Sequence, residues 1–212
     1  MLFAMDTCPS LLATRLARAI LGLALGLCLA LGGCNRRQVA EPGSYPAANP
    51  NDCLPPVALV DQHGQRIVLS SLRGKPVLID FVYTSCHLEC PALTAKFRQI
   101  ARALGPALGR DVAMVSLSLD PEHDLAPALL KYARDEGADQ PGWLFLTGPP
   151  ASVDQVLALF RIKRMRNPDG SIGHVAAAFL LGPDGRQTRQ YDVLAVSPDT
   201  VVNDLGNLRG AG

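Results

Sequence analysis

Two thiols four positions apart, in Thr84-Ser85-Cys86-His87-Leu88-Glu89-Cys90-Pro91, are the residues of this chain best suited by type and spacing to do chemistry. On a helical turn that spacing sets the Cβ atoms about 5–6 Å apart, so both sulfurs can reach one metal ion or each other. A helix N-terminus stabilises thiolate over thiol, which favours metal ligation and disulfide exchange alike. Soft thiolates suit Cu(I), with zinc the competing ion, but two sulfurs alone are an incomplete site. His174 is the best third ligand: it opens an apolar segment directly after a long loop, and a neutral imidazole suits copper in either oxidation state. The remaining candidates read as bystanders. His87 and Glu89 face other sides of the turn, and His63 and His123 belong to turns or loops. Asp120, Glu122 and Asp124 read as a solvated loop, and Arg161, Lys163, Arg164 and Arg166 as a solvated face or a partner contact. Familiar redox motifs use CxxC, so CxxxC favours metal binding over a thiol–disulfide oxidoreductase whose catalytic pair would be Cys86 and Cys90. A redox or copper sensor would use the same residues.

Such a pair needs a scaffold to present it. Residues 77–83 (VLIDFVY) form an almost continuous apolar, β-favouring run, the signature of a central strand buried on both faces, with Asp80 the exception. Leu93, Phe97, Ile100 and Leu104, at steps of four, three and four, predict an amphipathic helix over 86–104. The cysteines therefore fall between a strand end and a helix start, where α/β folds present reactive groups. A hairpin over 57–60 and 66–69 precedes this unit, and 111–119 reads as a second strand. A helix over 125–136 follows, with Pro127 tolerable in its first turn. Residues 143–146 form a short strand, and Ser152 with Gln155 makes a capping box for a helix through Phe160. The long basic loop 161–173 leads to a buried strand over 174–181. The turn Gly182-Pro183-Asp184-Gly185 joins that strand to its hairpin partner at 186–191, and a last helix runs from Pro198 to Leu208. The expected class is α/β: a mixed central sheet with helices on both faces, an N-terminal hairpin and an inserted loop before the last hairpin.

With 212 residues the chain accommodates one well-buried domain plus appendages. A net charge of +1, 18% charged residues and a single Trp leave no electrostatic or stacking footprint for nucleic acid. The appendage is N-terminal. Arg15 and Arg18 precede an uncharged apolar run, residues 19–33, followed at once by Cys34 and polar Asn35, Arg36 and Arg37. That is a signal-peptide pattern, too short for the roughly 20 residues a membrane span needs. Leu31-Gly32-Gly33-Cys34 resembles the bacterial lipobox, which implies lipidation of Cys34 and its exposure as the mature N-terminus. The expected organisation is a lipoprotein signal peptide over 1–33, a lipid-anchored flexible linker over 34–53 rich in Pro, Ala and Asn, and the folded domain over 54–212. The expected location is the periplasmic side of a bacterial cell envelope, an oxidising compartment in which Cys53 reads as a spare thiol.

Three segments together carry a resemblance: 83–91 (YTSCHLECP), 118–122 (SLDPE), and His174 ahead of 182–185 (GPDG). Across about Leu54 to Leu208 the chain resembles the Sco/SenC family. The resemblance implies a thioredoxin-like three-layer sandwich in which Cys86, Cys90 and His174 match the family's three copper ligands. It also implies a membrane-tethered metallochaperone that binds Cu(I) or Cu(II). Such a protein delivers copper to, or prepares the cysteines of, the dinuclear copper centre of cytochrome c oxidase. Its partners would be the copper-receiving oxidase subunit and other copper chaperones. Many members carry an acidic residue just before the ligand His; here that residue is Gly173.

Overall fold

The computed structural model describes residues 53–86, 89–174 and 176–209. The expectations for the signal peptide, for lipidation at Cys34 and for His87 lie outside them. Among the described residues no helix is long and apolar enough to cross a membrane.

The hairpin forms as β1 (Ala58–Val60) and β2 (Arg66–Val68), antiparallel with Leu59 opposite Ile67. Its turn is pinned by Asp61, whose carboxylate accepts the backbone N–H groups of His63 and Gln65. The main sheet is built outward from β3 (Val77–Val82), which runs parallel to β4 (Ala113–Ser118). β4 in turn runs parallel to β5 (Trp143–Leu146). All six residues of β3 and of β4 are buried, polar Asp80, Ser116 and Ser118 included. Phe81 anchors the centre, with the rings of Phe160 and Phe179 edge-on at 5.7 and 5.9 Å.

Asp80 lies in the middle of this apolar layer. Its Oδ1 accepts from the Ser116 hydroxyl at 2.6 Å, and that hydroxyl accepts in turn from Trp143 Nε1–H at 3.0 Å. Its Oδ2 is buried without a hydrogen-bond partner among the described residues, and burial pushes the carboxyl up to about 7.

α1 (Glu89–Leu104) buries the stripe of Leu93, Phe97, Ile100 and Leu104 together with Cys90. It begins at Glu89, so Cys86 precedes the helix. α2 (Ala126–Asp135) carries Pro127 in its first turn, as expected. α3 (Pro150–Leu159) starts two residues before the Ser152–Gln155 box, and no side-chain cap forms. Pro150 presets a helical φ at the first position and needs no amide partner, so the helix nucleates there instead.

Within the expected loop the chain forms a second small hairpin, β6 (Met165–Arg166) and β7 (Ile172–Gly173). Its turn is held by Asp169, which accepts from the amide and hydroxyl of Ser171, and by Gly170 at φ +84. β8 (Ala177–Leu181) lies antiparallel to β3 and starts three residues after His174, which is therefore a loop residue and not the first of a strand. β9 (Gln187–Asp192) closes the sheet as an edge strand, with a register shift opposite Leu180 and Leu181. The strand order is β5-β4-β3-β8-β9. α4 (Pro198–Arg209) packs on α1.

Candidate functional site

β3 ends at Val82, and the chain turns through Tyr83, Thr84 and Ser85, with the Cys86 amide donating to the Tyr83 carbonyl at 3.1 Å. Asp124 clamps this turn. Its carboxylate accepts the Thr84 amide at 3.2 Å, the Thr84 hydroxyl at 2.6 Å and the Ser118 hydroxyl at 2.6 Å. The clamp forms because Ser118 ends β4 directly beside Val82, so the loop after β4 folds back under the turn after β3. Asp124 and Asp120 are 1% and 2% exposed, which corrects the solvated-loop reading for both. Burial raises the Asp124 carboxyl, and the hydroxyl and amide donors oppose that rise. Glu122 is the exposed member, and the Arg164 guanidinium holds its carboxyl below the ordinary range.

The structure brings Cys86 and Cys90 together as two thiols. The Cys86 sulfur accepts the Cys90 amide at 3.3 Å, occupying the place of an N-cap side chain at the start of α1. Tyr83 meets the pair through its carbonyl, which accepts the Cys86 amide at 3.1 Å. Sequence reasoning expected the helix N-terminus to lower both thiols; for Cys90 the opposite holds. Cys90 is fully buried, and desolvation, with the contact to Cys86 second, pushes its thiol well up. The pair is thus unequal: Cys90 is an interior thiol, and Cys86 is the sulfur nearer the surface, at 8% exposure.

His174 is held by its own hairpin. Nδ1 lies 3.1 Å from the Ile172 carbonyl, which can only accept, so Nδ1 carries the proton and Nε2 is left with a lone pair. Nε2 is buried and has no hydrogen-bond partner among the described residues. The imidazole stands edge-on to the Tyr83 ring at 5.7 Å, and the Tyr83 hydroxyl accepts the Ile172 amide at 3.3 Å. Tyr83 therefore touches the thiol turn and the His174 hairpin at once. Among the described residues no three of His, Cys, Asp and Glu stand close enough to hold a metal ion. The expected three-donor convergence is met by two donors, with His174 set against Tyr83.

The basic segment also differs from expectation. Arg164 forms ion pairs with Glu122 at 2.7 Å and Asp154 at 2.9 Å and donates to the Leu119 carbonyl, while Arg166 pairs with buried Asp120. These contacts tie the β6–β7 hairpin to the loop after β4. Asp120 also meets His123, and His63 pairs with Asp139. The Cys53 sulfur is not isolated, as a spare thiol would be: it accepts from Arg73 Nη2 at 3.3 Å.

A family model described as SCO1/SenC matches residues 46–209. The chain belongs to the SCO1/SenC family. It is 32% identical over 193 residues to the SCO1 protein homolog of Bacillus subtilis, covering 89% of this chain and 96% of that one. Bradyrhizobium japonicum ScoI, solved with copper bound, matches at a TM-score of 0.64 and 29% identity, over 74% of this chain and 99% of that one. BsSco, described as a member of the Sco family of cytochrome c oxidase assembly proteins and as having a disulfide switch, matches at 0.65 and 29%, over 78% and 99%. The fold is the thioredoxin-like α/β sandwich of these neighbours.

Within this SCO1/SenC protein, sequence reasoning missed Tyr83 and undervalued Asp124. The signals were a hydroxyl on the last residue of an otherwise apolar run, and Ser118 and Asp124 six residues apart beyond a strand end.

Proposed function

We propose that this chain is a copper metallochaperone in which Cys86, Cys90 and His174 hold the ion as cargo for the dinuclear copper centre of cytochrome c oxidase. The observation that carries the reading is His174: a half-buried imidazole with its Nδ1 proton committed to a carbonyl keeps a buried Nε2 lone pair beside Tyr83, whose carbonyl accepts the Cys86 amide. That arrangement fixes the tautomer a ligating histidine needs. Two thiolates and one imidazole form a soft donor set suited to copper, and its binding releases the thiol protons. Family membership supports the reading, as do a relative solved with copper bound and another described among oxidase assembly proteins. Cys86 is the point of entry and exit. An incoming thiolate displaces it first, while completion of the set by His174 goes with a shift of the segment that carries it. The signal peptide over 1–33 directs export and is removed, after which a lipid on Cys34 and the linker over 34–53 hold the 54–212 domain on the periplasmic face of the membrane, where the copper-receiving oxidase subunit meets it.

Anaerobic copper titration of the reduced protein tests the ligands. Cys86→Ser and Cys90→Ser each lose tight one-to-one binding, and His174→Ala weakens it about a hundredfold, or about 2.8 kcal/mol. Equal stoichiometry and affinity in all three variants would refute the ligand set. Cys34→Ser tests the anchor separately: the protein moves from the membrane fraction to the soluble one.

The pairing of two free cysteines, with the Cys86 sulfur accepting the Cys90 amide, favours one second reading, thiol–disulfide exchange with the receiving subunit. Cys86 attacks a partner disulfide and Cys90 then displaces the partner, which leaves as a dithiol while Cys86 and Cys90 become the disulfide. A strongly reducing couple together with negligible copper affinity would favour this reading over metal delivery.

A further inference from the structure

We propose that the end of the domain where the linker enters is a docking face for anionic phospholipid headgroups, so that the domain stands on the membrane with its thiols turned away. The inference rests on the reading that the linker carries a lipid anchor, and its test separates the two. A cleft of about 640 Å³ opens between the start of β3, the loop before β4 and the last turn of α4. Lys75, Arg110 and Arg209 line it, and one carboxylate, Asp111, lies between the two arginines at 3.0 and 2.7 Å. Lys75 Nζ donates to the Gly109 carbonyl at 2.7 Å, an uncharged partner that leaves its charge uncancelled. The turn beside the cleft adds Arg186, paired with Asp184 at 3.6 Å. Arg73 gives its guanidinium to the Leu54 carbonyl and the Cys53 sulfur, again without cancelling its charge. Around the cleft and this turn, cations therefore outnumber carboxylates, a surplus that the net charge of +1 for the whole chain conceals.

Chain connectivity decides what this end meets. Cys53 bridges to Arg186, the Leu54 amide donates to the Gly185 carbonyl at 3.0 Å, and the Gly74 amide donates to the Pro183 carbonyl at 2.8 Å. The linker thus joins the domain at the basic end, and a lipid on Cys34 brings that end to the bilayer first. An anionic leaflet attracts such a cluster by on the order of fivefold per cation. That attraction reaches only about 8 Å at physiological salt. The six residues of β3 separate the cleft from the thiol turn by about 20 Å, so the lipid charge holds one end of the domain and does not reach Cys86. At the thiol end, Arg164 and Arg166 are matched by Glu122, Asp154 and Asp120, which leaves them no surplus to offer a headgroup.

The test places the purified mature chain in lipid nanodiscs of phosphatidylcholine alone or of phosphatidylcholine with an equal amount of phosphatidylglycerol, and reads amide exchange by mass spectrometry. Exchange over 183–186 and 205–209 slows severalfold in the anionic discs, and roughly 1 M salt removes the difference. Combining Lys75→Gln, Arg110→Gln and Arg209→Gln abolishes the protection, whereas Lys163→Gln, in the segment that leads to the β6–β7 hairpin, keeps it. Equal exchange in the two kinds of disc overturns the proposal, as does protection that falls on 161–172 instead. Protection by inorganic phosphate in the neutral discs also overturns it, because it marks a site for a small anion. An intact mass without lipid on Cys34 removes the anchor reading alone: the same chain mixed with the two kinds of disc still decides the inference, since contact at the basic end needs only the headgroups.

Discussion

Cys86 and Cys90 sit where the buried end of β3 meets the first turn of α1, with Asp124 clamping the turn between them, whereas His174 hangs on a segment tied down chiefly by Arg164 and Arg166. The first region is held by packing: Val82, Cys90, Leu93 and Phe97 are essentially inaccessible, so moving the thiol turn means opening the core. The second is held by the pairs of Arg164 with Glu122 and Asp154, which are 41% and 54% exposed, contacts worth roughly 0.2–1 kcal/mol each and screened by salt, and by the pair of Arg166 with buried Asp120. A site with one fixed half and one lightly latched half can retain two donors while the third comes and goes. Exchangeable binding requires that division, and a uniformly rigid cage would not provide it.

The sharpest way to break the contrast is to damage the rigid half. Phe81→Ala removes a ring that is 1% exposed and packed on Phe160 and Phe179. It should cost about 3–5 kcal/mol in urea unfolding and disturb the thiol turn with it. A smaller effect of opposite sign is expected at Asp80. Its carboxyl titrates near 3.8 in the unfolded chain and at about 7 in the fold, so the native state keeps a proton that the unfolded state has released. Stability is therefore fullest below pH 3.8, falls as pH rises to about 7, and is flat beyond. Asp80→Asn should raise stability by on the order of 3 kcal/mol at pH 8 and leave it unchanged near pH 3.5, read as unfolding midpoints at both pH values. A flat difference across that range would mean that Asp80 is not protonated in the fold.

Asp124→Ala comes next, because it strips partners from the Thr84 amide and from the hydroxyls of Thr84 and Ser118. We expect a loss of about 1–3 kcal/mol, with faster amide exchange at Thr84. The smallest effect on stability belongs to the latch. Arg164→Ala should cost under about 1 kcal/mol yet raise amide exchange in the β6–β7 hairpin several times over, and roughly 1 M salt should reproduce much of that change in the unaltered protein. A hairpin indifferent to both treatments would show that packing, rather than charge, holds His174.

This same division explains what could be read in advance. The buried strands, the stripe on α1 and the thiol pair were legible because local period and spacing determine them, and β3, β4, α1 and β5 lie within two or three residues of their expected bounds. The β6–β7 hairpin was not legible, since strands of two residues have no period to detect. Glu122 and Asp120, which pair with Arg164 and Arg166, stand more than forty positions away along the chain, and only the folded loop reveals them. Asp120 and Asp124 looked solvated for the same reason: their burial is created by the turn after β3, which is remote in sequence. The Ser152 box failed to a competing local signal, Pro150, that was visible all along.

β9 reads Gln-Thr-Arg-Gln-Tyr-Asp along the rim of the sheet, opposite a break in register. A border so polar and irregular is a poor template for a neighbouring copy's backbone, which discourages fibre-like stacking when many molecules share a small area. Recognition of another protein is thereby left to side chains, where a fit can be both selective and brief.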